Sequence, residues 1–324
     1  MEIKIPNYPA HDKHLWADYF ELISLIAIDR YLTKSDMEDR IHEDVEDAVI
    51  TLDEDSDLLD LYESENEKQK IHRKINLFSH DLFKYLKYRK SVYGDFYPFD
   101  AVGSKIEVNA NLTDKQLFYV YLLMSSHLGG FVSDISTLTS DFEQISLDCL
   151  KSYFGEKIQL HVFGKNALKV GSVFSGNKAT KYKMLAEFFN EKYSLKDDEF
   201  APTDNADEGI DIVGWINFAD SSPGKVLIAG QCKCQKDWYE YKFSSSFDKL
   251  NGIMSMRHQN LNFALIPICF RRDNGDWHQD GKTAGVIVVD RQRLVSMSGK
   301  LESFLSSKSY SVVKSFVKSS ESIV

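Results

Sequence analysis

The chain has 324 residues, 43% of them hydrophobic and 13% aromatic, enough for two packed cores and too apolar for a disordered polyelectrolyte. Its formal net charge of −10 excludes a uniformly basic nucleic-acid binder. That charge is concentrated: residues 36–67 carry fifteen acids against one base, Arg40, which is −14 in one block and leaves +4 for the rest.

Four cysteines, at 149, 232, 234 and 269, are too few and too scattered for a disulfide framework and suit a reducing cytoplasm. No signal peptide is legible. The most apolar stretch, Leu22–Ile28, is flanked by Asp18, Glu21, Asp29 and Arg30 and is too short to span a bilayer. The expectation is a cytoplasmic protein with no membrane contact.

From residue 13 to 155 the periodicity is mainly helical. His14–Leu32 reads as a helix buried on most sides, and residues 36–70 as an acidic block that is either helical in parts or a solvated segment. Ile75–Lys90 has Ile75, Phe78, Leu82 and Leu86 on one face and Lys84, Lys87 and Lys90 on the other. A short strand is expected at Lys105–Val108. Thr113-Asp-Lys-Gln116 has the form of a capping box, ahead of a stripe of Leu117, Val120, Tyr121, Met124 and Leu128. Asp134–Phe154 presents Ile135, Leu138, Phe142, Ile145 and Cys149, and stops at Gly155.

Beyond residue 155 the period changes. Ile158–Phe163 alternates as a strand does, and Asn177–Tyr193 is a helix with Tyr182, Leu185, Ala186, Phe189 and Tyr193 in line. Strands at Ile210–Phe218 and Lys225–Gln231 flank Asp220-Ser-Ser-Pro-Gly224, a strong turn signal. Trp238–Met256 reads as a helix, Asn262–Phe270 and Thr283–Asp290 as strands, and Arg291–Ser306 as a last helix. The chain therefore divides into a mainly helical domain, 1–155, with the acidic segment 36–67, and an α/β C-terminal domain, 156–324, with a central mixed sheet flanked by helices.

Chemistry concentrates on two of these strands. Gly209-Ile-Asp211-Ile-Val213 places a lone carboxylate on one, and Gln231-Cys-Lys233 places an amide and an ammonium two apart, hence on one side, at the end of the next. An acid and a Gln-x-Lys pair on a hairpin can hold a divalent cation and a water. No phosphate-binding glycine loop, dinucleotide fingerprint or serine elbow is present, which argues against an NTPase, a dehydrogenase or an esterase. Two other features carry weaker metal readings: His11-x-x-His14, and Cys232 with Cys234, for which packed thiols are the simpler account.

With its order of helix, strands, helix and strand, the stretch 155–295 resembles the PD-(D/E)XK, or restriction-endonuclease-like, nuclease superfamily, in the Gln-x-Lys form of Mrr-type enzymes. The first half shows no winged-helix pattern of the Mrr kind. The resemblance implies a metal-dependent DNA endonuclease of bacterial restriction or anti-phage defence, with Asp211, Gln231 and Lys233 catalytic and Mg²⁺ or Mn²⁺ as cofactor. Asp211, Gln231 and the Cys232 backbone carbonyl would be the metal ligands, and Lys233 would orient or deprotonate the attacking water. Glu187, on the helix before the Asp211 strand, is the candidate for an additional acidic ligand, with Asp204, Asp207 and Glu208 as substitutes. Lys236, Trp238 and Lys242 are candidates for nucleic-acid contacts, as are Arg271, Arg272 and Lys282 around a later turn. Partners implied are DNA, an ATPase or helicase, and a second copy of the chain. The runner-up is a catalytically inactive, nuclease-like DNA-binding or assembly subunit, since Gln in place of the commoner Glu removes a negative charge.

Overall fold

A computed structural model describes residues 12–45, 67–128, 135–195 and 209–319. The chain forms two compact units, one comprising 1–133, 269–278 and 310–324, the other 134–268 and 279–309.

The first unit is built on α1 (Lys13–Ile26), buried from His14 to Ile26. The expected continuation to Leu32 is cut short, because the chain leaves the helix at Ala27 and turns through Arg30, at φ +58°, into β1 (Tyr31–Thr33). Next come α2 (Lys34–Val45), α3 (Glu67–Tyr93), β2 (Phe99–Val102), β3 (Lys105–Val108) and α4 (Asp114–Ser125). The three strands make a small antiparallel sheet, ordered β1-β3-β2. Ile75, Phe78, Leu82 and Leu86 on α3 are buried as their spacing requires. Thr113 and Gln116 complete the capping box at the start of α4, each side chain accepting the other's backbone N–H. Of the acidic segment, 46–66 lie outside the described residues. Its start is helical rather than loose: Asp36 accepts from Thr33 N–H, and Glu38 takes the Ser79 hydroxyl at 2.6 Å.

The second unit begins with α5 (Ile135–Phe154), so the division expected at 155 falls instead before this helix. The reason is burial. Leu138, Phe142, Ile145, Cys149 and Leu150 are all covered, and α5 packs along β4 (Ile158–Val162). Ile135, expected inward, is 43% exposed at the helix start. There follow α6 (Lys178–Phe189), β5 (Ile212–Ile216), β6 (Val226–Cys232), α7 (Phe247–Ile253), β7 (Leu261–Leu265), α8 (Asp280–Thr283), β8 (Ile287–Val289), α9 (Arg291–Met297) and α10 (Glu302–Ser306). A last helix, α11 (Lys308–Phe316), runs from this unit back into the first. The long helix expected over Trp238–Met256 is instead a short 3₁₀ turn, Trp238–Tyr241, and α7.

The sheet has strand order β4-β5-β6-β7-β8, with an antiparallel meander β4-β5-β6 followed by parallel β7 and β8. The unit is thus a mixed α/β sheet entered by a helix and crossed by another between β6 and β7. On one face Val213, Trp215, Leu227 and Ala229 pack against Tyr182, Leu185, Ala186 and Phe189 of α6. On the other, Ile212, Phe263 and Leu265 close around Gly230, where a side chain would come within 3.0–3.6 Å of all three. No helix among the described residues is long and apolar enough to cross a membrane.

Candidate functional site at the strand ends

The site grows from a break in the β5–β6 ladder. Ile212 pairs with Gly230, yet the N–H of Asp211 also bonds the Gly230 carbonyl at 2.9 Å, so two residues oppose one. This is a β-bulge, and a bulge re-aims side chains. The Asp211 carbonyl still accepts from Phe163 and Gly164, which anchors the bulged residue to the end of β4. Asp211 Oδ2 accepts the Cys232 N–H at 2.7 Å, filling the ladder position that β5 leaves open.

The alternation of β6 sets the rest. Cys232 and Cys234 point to the α5 side. Burial first, then the charges of Asp211 and Glu143, pushes both thiols well above the usual thiol range. Glu143 is a buried carboxylate of α5 that accepts from Asn166 Nδ2 at 2.7 Å. Asp211 thus bonds the Cys232 backbone, and Glu143 bears by its charge on the same two thiols. In extended backbone the carbonyl of a residue points the same way as its N–H, so the Cys232 carbonyl lies on the Asp211 side.

Gln231 and Lys233 project to the opposite, α6 face. Gln231 is 2% exposed, and its Oε1 has no hydrogen-bond partner among the described residues. Its Nε2 sits where a side chain on Gly209 would be, 2.7 Å from that Cβ position, and Ser244 crowds the same point at 2.8 Å. With φ at +83°, position 209 accepts glycine on both counts. Lys233 turns its ammonium over the Tyr241 ring, 5.3 Å from the centroid. Asp211 is thus bonded to the Cys232 N–H, while Gln231 reaches Gly209 and Ser244 and Lys233 the Tyr241 ring, so the three expected residues lie at neighbouring strand ends with different contacts.

Other expected residues fall out differently. Glu187 is exposed on α6, and its neighbours Phe188 and Phe189 pack on Trp215, toward the far end of β5 from Asp211. The buried helix carboxylate of this unit is Glu143, on α5. Asp204, Asp207 and Glu208 lie outside the described residues, as does His11. Trp238 is fully buried and cannot meet a base or phosphate from outside. Lys242 spends its ammonium on the Gly281 and Lys282 carbonyls, both at 3.0 Å, and partial burial lowers its pKa. Lys236 is exposed. Arg271 stacks on Trp277 at 4.2 Å and donates to the Gly275 carbonyl, while Lys282 sits 3.8 Å over Tyr239.

Sequence reading missed Glu143, Asn166 and Lys181. The last is 4% exposed and donates to the Gly164 carbonyl at 3.2 Å, next to the anchor of Asp211. A signal for Glu143 existed: Ser146, Leu147 and Leu150, at i+3, i+4 and i+7, are small or apolar, which is unusual for a solvated acid on a helix. No family model matches this chain, and no curated protein or solved structure is similar to it.

Proposed function

We propose that the second unit is a metal-dependent phosphodiesterase acting on DNA, in the manner of the PD-(D/E)XK nucleases that its strand-end residues resemble. The observation that carries this reading is the Asp211 carboxylate held on the Cys232 N–H at the end of the β4-β5-β6 meander, beside thiols that also feel the charge of Glu143. The order of helix, antiparallel meander, helix and parallel strand supports it.

Two carboxylates and a carbonyl are hard oxygen donors, the set that suits Mg²⁺ or Mn²⁺ and ill suits a thiophilic ion. The fit is to Asp211, Glu143 and the Cys232 carbonyl as holding residues, with Gln231 placed on the far face. A bound divalent cation would supply Lewis-acid relief of phosphate charge.

The chain's own contribution is positional. Asp211 is locked by three backbone bonds and a side-chain bond, so its carboxylate needs no reordering to act. Asn166 fixes the Glu143 carboxylate in the same way. Hydrolysis joins a water oxygen to phosphorus, breaks the bond to the leaving sugar oxygen and returns a proton to that oxygen. Glu143 is the group placed to take the water proton. Lys233, on the other side of the strand end, is placed to hold a DNA phosphate by its ammonium.

Incubation of the purified protein with plasmid DNA and Mg²⁺ or Mn²⁺ tests the reading. Cleavage should fall by roughly 100-fold or more in Asp211→Asn and in Glu143→Gln, the order of effect seen when groups that stabilise charge are removed. Undiminished cleavage by both variants contradicts it. The division of Gln231 and Lys233 from Asp211 favours one alternative, a nuclease-like subunit that binds DNA without cutting. Metal-independent DNA binding with no turnover is its signature.

A further inference from the structure

We propose that the first unit carries a second metal site, for a zinc-class divalent ion, formed by Asp12, His14 and His278. Asp12 and His14 stand at the entry to α1, and His278 closes the hairpin that the Arg271–Trp277 bridge ties together. The three side chains offer ligand atoms that all lie within 4.8 Å of one another. Asp12 Oδ1 is 2.9 Å from His278 Nε2, and the His14 and His278 rings are 4.5 Å apart between centroids.

The second observation is His14 itself. Its ring is 4% exposed, and Nδ1 is buried with no hydrogen-bond partner among the described residues. A buried polar nitrogen without a partner is costly, and a metal ion held with Asp12 and His278, whose ligand atoms lie within 4.8 Å of the imidazole's, would give the ring a polar partner. Edge contacts from Phe270 to both rings, at 5.5 and 5.4 Å, hold the imidazoles in place.

Chemistry selects the ion. Two imidazole nitrogens and one carboxylate oxygen match the mixed N/O donor set of zinc sites with three protein ligands and an open fourth position. Tetrahedral bonds of about 2.1 Å set ligand atoms roughly 3.4 Å apart. The Asp12–His278 pair must therefore open slightly and the longest separation must close. Both are side-chain adjustments, and Asp12, with its side chain 20% exposed, leaves an entry path. The donor set differs from the all-oxygen set proposed for the second unit, so the two sites take different ions. An ion here would staple the start of α1 to a hairpin more than 250 residues later in the chain.

The test uses full-length protein, tag removed and stripped with a chelator, titrated with Co²⁺ and Zn²⁺. One equivalent of Co²⁺ should bind with visible d–d absorption and no thiolate charge-transfer band, and Zn²⁺ should displace it and raise Tm. His278→Gln and Asp12→Asn should weaken binding roughly tenfold or more, while Asp211→Asn leaves it unchanged. Asp12→Asn changes a partly exposed residue and keeps the comparison readable if His278→Gln fails to fold. Folded wild-type protein that binds no Co²⁺ overturns the proposal. So does a thiolate band, or binding that survives Asp12→Asn.

Discussion

In the helical unit Asp18 and Glu21 are both fully buried, whereas in the α/β unit Glu143 is buried and Asp211 only half-buried. Asp18 and Glu21 close on Arg89 at 2.6 and 2.9 Å, all three fully buried. Tyr97 and Tyr119 each donate to Glu21 at 2.8 Å, and Ser126 donates to Asp18. Burial opposes the guanidinium charge, but Glu21 and Asp18 outweigh it and hold the Arg89 pKa well above its ordinary value. At the strand ends of the α/β unit, Asp211 and Glu143 receive neutral amide donors, from Cys232 and Asn166, and together bias two thiols toward protonation. Acids whose charge is answered by an internal cation hold a fold together. Asp211, half-buried at the strand ends, is the acid among these four that solvent and an added cation can reach.

The sharpest way to break this contrast is to remove one partner from each cluster. Arg89→Met should cost about 3–5 kcal/mol, because it leaves two buried carboxylates without their cation. Asp211→Asn and Glu143→Gln keep their amide hydrogen bonds and should change stability by less than about 1 kcal/mol while removing cleavage. Urea unfolding midpoints for the three variants measure the difference. Equal losses in all three would erase the distinction between a structural and a functional cluster.

Protonation sharpens the account of the helical unit. Burial first, and then neighbouring His278, lowers the His14 pKa from 6.5 to about 3. The unfolded chain therefore takes up this proton before the folded one does. Stability should fall as pH drops below about 6.5, with the loss growing until pH nears 3. Between pH 7 and 5 the contribution is about 2 kcal/mol in metal-free protein. Thermal melts in chelator should show this slope in the wild type and a shallower one in His14→Gln.

A smaller effect probes how closely the strand end is packed. Gly209→Ala forces a side chain onto Gln231 and Ser244 in a left-handed conformation and should destabilise by about 1–2 kcal/mol. Adding Gln231→Ala should recover part of that loss, and no recovery would mean that backbone strain dominates. The smallest effect is chemical. Cys149 is pushed up to about 12 by burial, and Cys232 and Cys234 are also raised, so native protein should react with a thiol reagent far more slowly than unfolded protein.

Much of the fold was legible, because local chemistry decided it. The Thr113–Gln116 box, the α3 stripe, and the Asp220–Gly224 turn between β5 and β6 are all rules of short range. What was hidden required knowledge of partners. Of the first sheet only β3, Lys105–Val108, was legible, because β1 and β2, of three and four residues, are too short for a period to show. Helix α5 could be read, but not that it covers the second sheet rather than the first unit, and so Glu143 went unconsidered while Glu187 was chosen. Asp211 was found as a residue, but its direction was not. Strict alternation pairs it with Gln231, and only the bond from its N–H to the Gly230 carbonyl reveals the bulge that leaves its carboxylate on the Cys232 N–H.

The central claim is that Asp211, the Cys232 backbone and Glu143 hold a hard divalent cation. Mn²⁺ binding followed by electron paramagnetic resonance, in a His278→Gln background that silences the other proposed site, tests it most directly. One Mn²⁺ per chain, competed by Mg²⁺ and lost in both Asp211→Asn and Glu143→Gln with unfolding midpoints unchanged, is the predicted result. Mn²⁺ bound equally by the parent and both variants, or by none of them, would contradict it.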